Sequence, residues 1–193
     1  MFNRGIPQAV EVAVSLGMIF SLLNSSPQYK GKFITFHDKP ELLSITGTSL
    51  MEQVNSVKRT AWGGNTNFQS TFDLMLNIAT TFSIPREQMP QILLVLSDMQ
   101  FNQADNGKTN WEVIENKYQK AGYTRPTIIF WNVNGNSVDY PVPSSSVPNC
   151  ALLSGFNDAI MYSLLSGTMP DPKTIVHQAL DDDRYNVIQL ASN

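Results

Sequence analysis

Residues 91–100, Gln-Ile-Leu-Leu-Val-Leu-Ser-Asp-Met-Gln, constrain this chain more than any other stretch. Ile92 to Leu96 run without a polar break and stop at Ser97-Asp98. A strand with one face in water alternates polar and apolar residues. An unbroken apolar run therefore predicts a strand covered on both faces, as in a parallel sheet with helices on each side. In such sheets ligands collect outside the carboxyl ends of the central strands. Asp98 stands at that end and is the first candidate for chemistry. Its bland role is to turn or cap the loop that follows.

The rest of the chain alternates helical and strand-like stretches. Pro7 and Pro27 bracket a helix over about residues 8–23, apolar nearly all round and so expected to be buried. Residues 32–36 and 41–46 read as strands around a turn at 37–40. Ser49 and Glu52 have capping-box spacing and open a helix to about Thr60. The turn Trp62-Gly63-Gly64-Asn65-Thr66-Asn67 leads into a helix with the stripe Phe68, Phe72, Met75, Ala79 and Phe82. Thr109 and Glu112 open the next helix, which Gly122 stops.

Residues 127–133 and 150–153 are strands, separated by a loop with three prolines and a serine triplet. Helices over residues 157–165 and from Asp171-Pro172 to about Leu180 follow, then a short strand or extended tail at 185–190. This alternation predicts an α/β fold in one domain over residues 1–193. Its sheet is expected to be mostly parallel, with one antiparallel edge strand from residues 32–46.

Composition narrows the function classes. At 193 residues with 42% hydrophobic and 15% charged content, the chain has a real core and is not disordered. Its net charge is −3 and the 13 basic residues are scattered, so no phosphate track forms and no nucleic acid is expected. Cys150 is the only cysteine, which excludes an internal disulfide and fits an intracellular, cytoplasmic setting. His37 and His177 stand far apart, so a zinc site of ordinary spacing is absent. The apolar run over residues 12–23 is too short to span a bilayer, and Pro7 and Glu11 sit awkwardly for a signal peptide. No membrane partner is expected.

Two loops should meet at the carboxyl edge of such a sheet: Ser97-Asp98, and the turn from Gly63 to Asn67. A carboxylate and a hydroxyl together suit Mg²⁺, which takes oxygen ligands and keeps several waters. Thr66 alone also fits a local role, since Thr66 and Gln69 have capping-box spacing. The other candidates read as structural. Asp105 is a solvated loop acid, Asp181-Asp182-Asp183 a solvated turn, and His37 beside Asp38 a turn. Trp111 and Trp131 read as packing. No Ser, His and Asp group into a triad.

Gly-Gly-Asn-Thr-Asn before a helix and Leu-Val-Leu-Ser-Asp at a strand end resemble the von Willebrand factor A (vWA) domain. The chain is closer still to the vWA-like C-terminal region of a plant, fungal and giant-virus family classed as a domain of unknown function. The residues that carry this run from Trp62 to Gln69, Leu96 to Phe101, Tyr118 to Gly122, Ile129 to Asn132, and Leu153 to Phe156. The resemblance implies a Rossmann-like three-layer sandwich and a metal-ion-dependent adhesion site. Thr66 and Asp98 match two of that site's ligand positions. The Asp-x-Ser-x-Ser loop after the first strand has no counterpart here, because Met1 falls where that loop ends. Mg²⁺ binding by this chain is therefore expected to be weak or absent.

In the vWA strand order the absent strand is the central one. The strands at residues 32–36 and 92–96 would each have an unpaired buried edge. Such groups cost about 1–3 kcal/mol each, against a typical domain stability of about 5–15 kcal/mol. The expectation is that a longer polypeptide or a second chain completes the sheet, or that the sheet rearranges. The function implied is a non-enzymatic protein-binding module, with Gly64, Asn65, Asn67, Ser97 and Gln100 near the partner. The competing readings are a Mg²⁺-dependent hydrolase or phosphoryl-transfer enzyme using Asp98, and a degenerate or fragment gene product. No general base or phosphate-cradling Lys accompanies Asp98. The family's membership also allows a viral product acting in a host cell.

Overall fold

The structure is a computed structural model of the 193-residue chain. The residues described are 8–35, 39–60, 68–97, 111–133, 149–155 and 158–166, with 173, 176, 177, 180, 181 and 183–185. The chain forms two compact units, residues 1–155 and 156–193.

The first helix, α1 (Ala9–Leu23), starts where the prolines predict, and Gln8 N–H donates to Glu11 Oε2 at 3.2 Å. Val14 and Met18 bury against Val57, with Phe33 and Ile45 packed beside them. The expectation of burial all round is corrected: Val10, Ile19, Leu22 and Leu23 are exposed. A helix resting on a sheet hides one stripe, and among the described residues nothing covers the opposite side.

Strands β1 (Lys32–Ile34) and β2 (Leu42–Ser44) pair antiparallel, with Phe33 opposite Leu43. Phe36, His37 and Asp38 lie outside the described residues. Helix α2 (Leu50–Lys58) carries the capping box that its spacing predicts. Glu52 N–H donates to Ser49 Oγ at 3.2 Å, and Glu52 Oε2 accepts from Ser49 N–H (3.2 Å), Thr48 N–H (2.8 Å) and Thr48 Oγ1 (2.9 Å). Gly47, at φ +126°, lets the chain pass tightly, since a Cβ there would stand 2.5 Å from Glu52 Cβ.

The bonds from Thr48 and Ser49 hold the Glu52 carboxyl below its ordinary value of 4.5. A depressed carboxylate stabilises the fold fully above the unfolded-state pKa and loses that contribution as pH falls through the folded one. Glu52→Gln should therefore lower stability at pH 7 and leave it nearly unchanged well below pH 4.5. Urea denaturation of both proteins at neutral and acid pH checks this, and an equal loss at both would refute it.

Helix α3 (Phe68–Thr81) buries Phe68, Phe72, Met75 and Ala79, four of the five residues of the predicted stripe. The fifth, Phe82, is 65% exposed. The helix closes one residue earlier in a Schellman turn: Ile84 N–H donates to Ala79 C=O (2.9 Å) and Ser83 N–H to Thr80 C=O (3.3 Å). Ser83, at φ +48°, swings the chain so that Ile84 fills the core and Phe82 turns to solvent.

Helix α4 (Trp111–Lys120) ends the same way at Gly122, φ +81°, as the sequence predicts, and Tyr123 N–H donates to Tyr118 C=O at 2.9 Å. Three tyrosine hydroxyls then fix α3. Tyr118 donates to Phe72 C=O (2.9 Å), Tyr29 to Met75 C=O (3.1 Å), and Tyr123 to Ala79 C=O (3.2 Å). Burial pushes the Tyr29 hydroxyl up to about 12 and the Tyr118 hydroxyl higher still, so both stay protonated donors.

The second sheet is parallel, in the order β3 (Ile92–Ser97), β4 (Thr127–Asn132), β5 (Cys150–Ser154). The strand covered on both faces is β4, where Ile128, Ile129, Phe130 and Trp131 are all buried. On β3 only Val95 is buried and the other apolar residues are half-buried, which corrects the expectation for residues 92–96. The cause is position: among the described residues β3 pairs on one side only. The protein is thus mixed α/β, with a parallel three-stranded and an antiparallel two-stranded sheet.

The second unit contains α5 (Asp158–Leu165), which buries Ile160, Ser163 and Leu164, and a 3₁₀ turn at Asp183–Tyr185. Tyr185 ends that turn, where the sequence suggests the start of a strand or tail. His177 Nδ1 lies 3.3 Å from Asp181 Oδ2, on an exposed surface.

Candidate functional site

Three parallel strands end together. Leu96, Trp131 and Leu153 form one apolar rung across β3, β4 and β5, and the next rung is Ser97, Asn132 and Ser154. Every strand therefore turns from apolar to polar at the same level, the carboxyl edge. Asn132 is fully buried and Ser154 is exposed. Gly155 is pinned just above: its N–H donates to Asn132 C=O (2.9 Å) and its C=O accepts from Trp131 Nε1 (2.7 Å). Trp131 thus spends its one polar atom holding the rim, and Trp111 packs edge-on to Phe72 at 5.9 Å.

The start of α3 reaches the same edge. Phe68, its first residue, packs edge-on against Phe130 at 5.2 Å, and Phe130 stands two residues below Asn132 on β4. The chain enters α3 directly from Asn67 and leaves β3 directly into Asp98. The first residue of α3 and the last residue of β3 therefore both lie at the carboxyl half of the parallel sheet. Of the residues chosen from the sequence, Thr66, Asp98, Gly64, Asn65, Asn67 and Gln100 lie outside the described residues. Ser97 is described as the last residue of β3, paired with Asn132. Asn132 and Ser154 share its rung and were not singled out as site residues. The signal for them was present, since each apolar strand run ends on a polar residue.

The opposite edge has a different chemistry. Arg125, just before β4, is buried and donates from Nε to Glu115 Oε2 (3.1 Å) and from Nη1 to Pro126 C=O (3.0 Å). Cys150, at the start of β5, is half-buried, and burial raises its thiol to about 11, so at neutral pH it is no nucleophile. On the flank of α3, Asp73 is held by Lys117 Nζ at 2.7 Å. Among the described residues no three His, Cys, Asp or Glu side chains group as metal ligands, and no helix is long and apolar enough to cross a membrane.

Comparison with known proteins gives two matches. Over residues 2–189 the chain is similar to a family described as a domain of unknown function (DUF7788). Over 188 residues it is 33% identical to the uncharacterized protein L728 of Acanthamoeba polyphaga mimivirus. That match takes in 96% of this chain and 32% of the viral protein, so the chain spans about a third of the length of its curated relative. No solved structure matches.

Proposed function

The chain belongs to the DUF7788 family, and from that premise we propose that it is a non-enzymatic, vWA-like binding module that meets partner proteins at the carboxyl edge of its parallel sheet. The observation that carries this is the packing of Phe68 on Phe130, just below the polar rung of Ser97, Asn132 and Ser154. It brings the entry to α3 and the exit of β3 to one rim, where open α/β sheets bind ligands. The resemblance gives Thr66 and Asp98 the part of metal ligands and Gly64, Asn65, Asn67, Ser97 and Gln100 the part of partner contacts. The proposed setting is intracellular, in keeping with the single cysteine, Cys150.

Mg²⁺ fits this rim only in part. The donor set that the resemblance assigns is one carboxylate with hydroxyl and amide oxygens, and the rung's Asn132 is fully buried. A tight octahedral ion with one acidic ligand keeps most of its waters and is held weakly. When bound, the metal would offer an open coordination position to an acidic side chain of the partner. The competing reading, a Mg²⁺-dependent hydrolase or phosphoryl-transfer enzyme, draws on the same strand-end acid.

Calorimetric titration of Mg²⁺ into the wild type and Asp98→Ala, with a phosphatase assay on p-nitrophenyl phosphate alongside, separates the two. The expected result is weak or undetectable Mg²⁺ binding and no turnover in either protein. Turnover that the substitution abolishes would overturn the binding-module reading.

A further inference from the structure

We draw no further inference here: the strongest candidate, the exposed apolar stripe of Ile19, Leu22 and Leu23 on α1, carries nothing, because nothing in the structure shows what covers it.

Discussion

Replacing Phe72 with alanine is expected to remove about 3–5 kcal/mol of stability. Phe72 is fully buried at the point where α3, α4 and β4 converge. Its ring meets Trp111 edge-on at 5.9 Å and Tyr118 edge-on at 6.2 Å, and the Arg125 guanidinium carbon lies 5.7 Å from its centroid. Truncation therefore opens a cavity whose walls are two large rings and a charge. Tyr118 and Arg125 cannot collapse into it freely, because each is held by hydrogen bonds. Aromatic pairs of this geometry add about 0.5–1.5 kcal/mol to the area term, and the cation contact adds to it. The loss is a large share of a typical domain stability of about 5–15 kcal/mol. Phe82→Ala is the control: Phe82 is exposed and its removal should change stability by about 0.5 kcal/mol or less. Urea unfolding followed by circular dichroism checks both, and similar losses for the two would place the core elsewhere.

The contrast between Phe72 and Phe82 marks what the sequence makes legible. The helical stripe as far as Ala79, the capping box at Ser49 and Glu52, and the stop at Gly122 are local signals, each carried within one element, and the structure has all three. Phe82 fell outside because a serine in a left-handed conformation closes α3, a geometry that glycine usually marks and serine hides.

Strand neighbours are non-local. An unbroken apolar run says that both faces are apolar, not that both edges are paired. Residues 128–131, the strand covered on both faces, read no more apolar than Ile92–Leu96. The same limit held for α1, whose apolar circumference promised burial that no described element provides. At the candidate site the rim itself was readable from where the apolar runs stop. The alignment of Ser97, Asn132 and Ser154 on one rung depends on register, which no single strand's sequence contains.

A second large effect centres on Arg125, and its sign discriminates between two accounts of the same contacts. The Arg125 side chain is 3% exposed and that of Glu115 38%, so the cation is buried while its acid reaches solvent. Removing Glu115 takes from a guanidinium in the core the carboxylate that its Nε reaches at 3.1 Å. For a fully buried pair that costs about 3–5 kcal/mol, and solvent at the acid should reduce it here to about 2–3 kcal/mol. If uncompensated charge is the main cost, then removing the charge as well restores stability. The double variant Arg125→Met, Glu115→Ala should accordingly be more stable than Glu115→Ala alone, because methionine keeps much of the stem's packing and leaves no buried ion. Opposing this, the substitution deprives Pro126 C=O of its 3.0 Å partner and strips the cation from the Phe72 and Trp111 rings. The carbonyl loss is about 1–3 kcal/mol and each ring contact about 0.5–2 kcal/mol, so the predicted order holds only where the charge term exceeds their sum. A double-mutant cycle in urea measures it. A double variant less stable than Glu115→Ala would mean that the carbonyl and ring contacts, rather than the ion pair, keep Arg125 beneath the sheet.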